Sequence, residues 1–194
     1  MDNAVDSDAK KPNPLTRLGV FFEETWKDYL VLLLVAAAII SIDQWTKFLV
    51  RTRIPLGGDW LPGWLSWLAP IVTIRNWYNS GAAFGLFQNG NLIFSVLAVI
   101  VSCLILYYYP RTSRRDWWMR LALAMQFSGA VGNLIDRLTI RRVTDFIFVG
   151  GITVFNLADA SISVGVAILV VGIWLRERAQ KKQVVTAVDE VKGG

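Results

Sequence analysis

The 194-residue sequence contains no histidine and only one cysteine, Cys103. The first absence removes Ser-His and Cys-His nucleophilic machinery and any His-ligated metal site; the second leaves no partner for a disulfide. Cys103 lies inside "VIVSCLILYYY", where a thiol acts as a small packing group. Internal repeats and low-complexity tracts are also missing.

What is abundant is apolar. Hydrophobic residues make up 54% of the chain and mean hydropathy is +0.44, above the roughly 45–50% of water-soluble domains. Four stretches approach the roughly 20 apolar residues that cross a bilayer core. They are Tyr29 to Val50, Leu92 to Tyr109, Trp117 to Leu138 and Ala158 to Leu175. The fold class expected is an all-α membrane protein of four transmembrane helices. The first stretch is no cleavable signal peptide, because a mixed-charge leader precedes it and "SIDQWTK" offers no small-residue cleavage site.

Lysine and arginine counts set the expected orientation. Thirteen of the 20 basic residues lie before the first stretch, between the second and third or in the first turn of the third (Arg120), or after the fourth; the other seven lie toward the opposite side. The positive-inside rule then puts both termini in the cytoplasm, and the net charge of +5 reads as topology and contact with membrane lipid, not nucleic acid. The leader, residues 1–28, suits a short amphipathic surface helix and a mobile lead-in equally. "PRTSRRDWWMR" reads as a cytoplasmic turn, and the tail beyond Leu175 as a charged helix end followed by a disordered stub. Residues 51–91, the longest connection, carry Trp60, Trp64, Trp67 and Trp77 and a β-prone "IVTIRNWYN". A small extracytoplasmic β-sheet between helices 1 and 2 is expected there, its tryptophans at the headgroups.

Ionisable residues inside or at the edge of membrane helices are costly to bury and tend to carry function. Here they are Asp43, Lys47, Asp136, Arg137, Asp145 and Asp159, all placed near the outer face by this topology. Asp43 and Lys47 are four apart and positioned to pair. Gly129 and Gly132 allow close helix approach, Asn133 and Asp136 share a face, and Asp136 beside Arg137 reads as a brace. Asp145 sits in an extended "VTDF" and Asp159 in the first turn of helix 4. If these two meet, they share one proton, as an aspartyl hydrolase requires. Two aspartates at this spacing suit helix capping or loop solvation equally well.

Five blocks in order, "DQWTK", "NSGAAFG", "GAVGNLIDR", "VTDF" and "FNLAD", make the stretch Asp43 to Asp159 resemble the lipoprotein signal peptidases, bacterial inner-membrane aspartyl peptidases. The resemblance implies cleavage of prolipoproteins before their diacylglyceryl-modified cysteine, without metal or other cofactor. It assigns Asp145 and Asp159 as the catalytic pair, supported by Asp43, Lys47, Asn79, Gly81, Gly129, Asn133, Asp136, Arg137, Asn156 and Ala158. The expected spans divide the chain into the leader, a peptidase domain of residues 29–175 and a cytoplasmic tail of residues 176–194; the resemblance covers neither leader nor tail. A monomer is expected, since four helices can close around the site. The segment "IFVGGITV" between the last two blocks is shorter than is usual in that family. Three other readings remain: a transporter with a proton-coupling acid, a Ser-Lys peptidase using Lys47 with Ser80 or Ser128, and an assembly protein indifferent to its aspartates.

Overall fold

The computed structural model describes residues 14–81 and 90–193, with side chains described over 26–81 and 90–183. Residues 82–85 of the "NSGAAFG" block lie outside the described residues. Four long helices run through the described chain: α1 (Pro14–Arg53), α2 (Asn91–Tyr108), α3 (Trp117–Ile140) and α4 (Leu157–Gly193). Four strands complete it: β1 (Asp59–Trp60), β2 (Val72–Asn79), β3 (Val143–Val149) and β4 (Thr153–Phe155).

Three helices, α1, α2 and α4, are long and apolar enough to cross a membrane. Their large side chains point outward: Leu33, Leu34, Leu92, Ile93, Val170 and Val171 are all exposed. That pattern fits a hydrocarbon solvent, in which apolar surface needs no burial. α3 differs because it packs against each of the other three helices. Its inward positions are therefore small or polar, with Ala122, Ala124, Ser128, Gly129, Ala130, Gly132, Asn133 and Asp136 all buried.

The bundle has two unlike ends. At one, the Asp28 carboxylate accepts from Arg114 (2.7 Å) and from buried Arg120 (3.1 Å), and Arg176 pairs with Asp116. Just inside this layer, Leu32, Ile105, Tyr109 and Ala124 form an apolar cluster. At the other end the helices carry the sheet, with Val50, Ile54 and Phe146 packed beneath it.

The sheet corrects the sequence reading. It is not contained between helices 1 and 2: its order is β1-β2-β3-β4, all antiparallel, with half its strands from the α3–α4 connection. The physical reason is that β1 has two residues, and a lone short hairpin is at best marginal in water. Long β2 takes β3 as its partner instead. β1 is held by a two-pronged ion pair, Arg75 donating to Asp59 at 2.6 and 2.7 Å. The β3–β4 turn uses Gly150 and Gly151 at φ +60° and +72°, a conformation that suits glycine, which is how "IFVGGITV" closes in so few residues.

Two further boundaries differ. The leader and first span form one continuous helix from Pro14, and α4 runs to Gly193, so the tail is helical where a disordered stub was expected. Neither "LTRLGVFFEETWKDY" nor "RERAQKKQVVTAVDE" contains a proline that would break helical hydrogen bonding.

Candidate active site

Between the sheet and the apolar cluster at the far end lies a polar interior. Asp43, Lys47, Asn133, Asp136, Thr144, Asp145 and Asn156 are all at least nine-tenths buried. Burying a charge costs several kcal/mol unless it is paired and hydrogen-bonded, so where each group finds its partners decides what it can do.

One network is a charge clasp. Lys47 on α1 sets its Nζ 2.8 Å from Asp43, 3.3 Å from Asp136 and 3.1 Å from Asn133 Oδ1, which accounts for all three ammonium hydrogens. Asp43 also accepts the Ala158 backbone N–H at 3.0 Å and the Gln44 amide at 3.2 Å. Asp136 accepts the Thr144 backbone N–H at 2.9 Å and faces Arg51 at 3.4 Å. The brace expected between Asp136 and Arg137 is thus replaced by a longer-range one: Asp136 takes its cations from α1, and Arg137 lines the cavity described below. An ammonium so engaged has no lone pair to act as a base, and Ser128 is turned away, donating to the Ala124 carbonyl. These contacts argue against Lys47 and Ser128 as a Ser-Lys pair.

The second network joins the two other aspartates. Asp145 reaches the site because β3 pairs with β2, Trp77 lying opposite Asp145 and Asn79 opposite Val143. That diagonal puts Asn79 and Asp145 on one face, and the Asn79 amide donates to Asp145 Oδ2 at 3.0 Å. Asn79 is fixed in turn by accepting the Gly81 N–H at 2.9 Å. Asp159 is placed by a capping box: Asn156 Oδ1 accepts the Asp159 N–H (2.9 Å), while Asp159 Oδ2 accepts the Asn156 N–H (3.3 Å). With its oxygen so committed, the Asn156 amide nitrogen points to Asp145 Oδ1 at 2.7 Å and Asn133 Oδ1 at 3.1 Å. Asn133 donates to Asp159 at 2.7 Å. One asparagine therefore touches both carboxylates.

Gly129 makes this geometry possible. A Cβ on it would stand 2.3 Å from the Ala158 carbonyl oxygen, so α3 and the first turn of α4 meet backbone to backbone. A Cβ on Gly132 would lie 3.0 Å from Asp43 Oδ2 and 3.3 Å from the Ala158 methyl, which is itself fully buried.

Asp145 and Asp159 line one cavity of about 550 Å³, with Asn79, Gly81, Arg137 and Phe155. From Asp159 a smaller groove of about 280 Å³ descends between α2, α3 and α4 past Leu97, Ala98 and Ile162. Desolvation first, then the Asp159 charge, push the Asp145 carboxyl up to about 7 against the two amide donors and Lys47. Asp145 is thus poised to hold a proton at neutral pH, while Asp159 sits where a helix N-terminus favours an anion. Among the described residues no three metal-ligating side chains gather. Gln44, Arg51 and Thr144 were missed by the sequence reading; Gln44 stood within "DQWTK", and Arg51 is four past Lys47, one helical turn on.

Residues 35–175 match the family described as Signal peptidase (SPase) II. The chain belongs to the signal peptidase II family. It is therefore a membrane-embedded peptidase. A lipoprotein signal peptidase of Halalkalibacterium halodurans is 35% identical over 154 residues, covering 77% of this chain and 96% of that protein. One from Enterococcus faecalis is 33% identical over 156 residues, covering 78% and 92%. Among solved structures, a bacterial membrane enzyme determined by the in meso method at 2.3 Å superposes with a TM-score of 0.70 at 26% identity, covering 78% of this chain and 91% of that one. A second, at 1.9 Å, gives 0.65.

Proposed function

We propose that this signal peptidase II is an aspartyl endopeptidase that removes signal peptides from prolipoproteins, cutting before a diacylglyceryl-modified cysteine. Relatives named lipoprotein signal peptidase support the substrate class. The observation that carries the mechanism is Asn156, whose amide and backbone bind Asp145 and Asp159 in one cavity.

Asp159 takes a proton from water as its oxygen attacks the scissile carbonyl carbon; protonated Asp145 donates a hydrogen bond to the carbonyl oxygen. In the tetrahedral intermediate the C–N bond breaks, and the proton held by Asp159 goes to the leaving nitrogen, the α-amine of the lipidated cysteine. Asn156 and Asn79 hold Asp145, and Asn133 holds Asp159. The Asp43–Lys47–Asp136 clasp positions the α1, α3 and α4 backbones that carry them. Arg137 lends positive charge to the cavity. The groove below Asp159 has apolar walls suited to lipid chains or a signal helix.

α3 is the fourth membrane span in this reading. β2 and β3 belong to different interhelical connections yet pair in one sheet, which supports placing both connections on one side of the membrane. With α2 crossing away from that side, α3 crosses back. The excess of basic residues away from the sheet end supports a sheet outside and both termini in the cytoplasm, and at the outer face a monomer would reach its lipid-anchored substrate from the bilayer.

The test is cleavage of a diacylglyceryl-modified prolipoprotein by purified protein in detergent. Wild type should release the signal peptide, Asp145→Asn and Asp159→Asn should each lose at least about a thousandfold, and Asp59→Asn, an exposed carboxylate on β1, should cleave normally. Equal cleavage by all four would remove the dyad.

A further inference from the structure

Where α1 meets the sheet there is a separate groove of about 440 Å³, which shares no lining residue with the cavity that holds Asp145 and Asp159. Leu49, Val50 and Ile54 line it from α1 and the residue that follows, and Trp60, Ile74 and Phe146 from three strands. Its polarity is ordered. Arg53, the last residue of α1, also lines it, as does Thr46, seven residues earlier. That separation is about 10 Å along a helix, a third of the roughly 30 Å hydrocarbon layer. Thr46 needs no polar partner in the groove, because its hydroxyl donates to the Ile42 and Asp43 carbonyls. One turn below it the exposed side chain is again apolar, Ile42.

Among the described residues Arg53 makes no hydrogen bond or ion pair. Asp59 and Asp136, carboxylates at the same end of the molecule, are already held by Arg75 and by Lys47 and Arg51. The helix terminus carries roughly half a negative charge, so the full guanidinium charge leaves this end of the groove positive. Trp60, with Trp64 and Trp67 in the turn that follows, is exposed, and tryptophan favours the headgroup layer of a bilayer. A cation at headgroup level over an apolar slot is complementary to an anionic amphiphile.

We infer that this groove binds an anionic phospholipid from the leaflet at the sheet end, its phosphate against Arg53 and one acyl chain running past Leu49 and Phe146 toward Ile42. A diacylglyceryl group on a substrate cysteine has apolar chains but no anion, so it gains nothing from Arg53. The site bears on the catalytic strand without touching the carboxylates. Phe146 is the neighbour of Asp145 on β3 and packs with Val50 and Ile54 beneath the sheet. An acyl chain lying there extends that apolar cluster and steadies the strand that carries Asp145.

The test places the full chain in phosphatidylcholine bilayers with a trace of phosphatidylglycerol that carries a diazirine in the upper half of one acyl chain. After irradiation the labelled residues are mapped by peptide mass spectrometry. One guanidinium predicts about fivefold more label on Leu49, Ile74 or Phe146 than from the same diazirine carried by phosphatidylcholine. Arg53→Gln should bring the two probes level. Leu49→Trp, which fills the slot, should remove label from Ile74 and Phe146, while label on outward-facing Phe48 stays the same in both variants. Equal labelling by the two probes in wild type, a preference that survives Arg53→Gln, label on Phe146 that survives Leu49→Trp, or label confined to Phe48 each overturns the inference. Wild type and Arg53→Gln decide the matter even where Leu49→Trp fails to fold, since the comparison of the two probes does not use it.

Discussion

At the scale of single residues, Asp145 carries a cost in stability that its proposed chemistry would use. Burial and the Asp159 charge raise its carboxyl from 3.8 to about 7. The folded state therefore holds this proton more tightly than the unfolded chain does between those values. Linkage then makes its contribution to stability greatest below about pH 4, declining as pH rises to about 7 and absent above. A shift of that size corresponds to roughly 4 kcal/mol, against which an asparagine at the same place loses about 1 kcal/mol where its NH₂ meets the Asn79 or Asn156 amide. Asp145→Asn is accordingly expected to melt higher than wild type at about pH 8, with the advantage gone near pH 4, while cleaving nothing. For the wild type, kcat/KM should fall as pH rises past about 7, because the carbonyl then loses its acid. Thermal melts and a pH–rate profile in one detergent read both. A mutant less stable than wild type at every pH would mean that Asp145 is not held against a desolvation cost.

At the scale of elements, the contact between α3 and α4 sets the aspartate geometry. Gly129→Ala would bring a methyl to 2.3 Å from the Ala158 carbonyl oxygen and 2.6 Å from Ile162 Cγ1. Because one neighbour is backbone, the first turn of α4 must shift, and Asp159 moves with it. We expect a cost of about 1–3 kcal/mol and at least a tenfold loss of kcat, with membrane insertion retained. Gly63→Ala, where a Cβ meets nothing within 4 Å, is the matched control. Unchanged turnover in Gly129→Ala would show that the helix contact does not set the site. The same element scale marks how far the sequence could be read. Asp43 and Lys47 are one turn apart, so their pairing is a local fact that spacing reveals; that Lys47 also serves Asp136 depends on how α1 meets α3. Asn133 and Asp136 share a face of α3, yet Asn133 joins both networks, accepting from Lys47 and donating to Asp159, while Asp136 belongs to the clasp. "IVTIRNWYN" announced a strand, but its partner lies beyond two helices, and β propensity carries no information about so distant a pairing. The capping box at Asn156 and Asp159 was legible as a spacing of three; that the Asn156 amide also reaches Asp145 follows only from the sheet.

At the scale of the whole molecule, topology can be tested with the chain's own scarcity of thiols. Cys103 is the sole cysteine, so a Cys103→Ser background reports only on sites placed by design. Ser66 and Ile152 lie at the sheet end of the bundle, in the α1–α2 and α3–α4 connections, and Ile152 is 75% exposed. Ser113 lies in the α2–α3 connection and Ala179 on α4 just beyond the apolar run that ends at Leu175, both exposed at the opposite end. If α3 crosses the membrane, single cysteines at 66 and 152 react from outside intact cells with a membrane-impermeant maleimide, whereas those at 113 and 179 react only after lysis. Labelling of 66 from outside together with protection of 152 would divide the two halves of the sheet between compartments, which the hydrogen bonds between β2 and β3 forbid. The alternative of a three-span protein predicts 113 and 152 on the same side. The pattern of 66 and 152 outside with 113 and 179 inside is the one arrangement that keeps the sheet whole, puts α3 in the membrane, and sets the aspartate pair where water from the outer face meets a substrate still anchored in lipid.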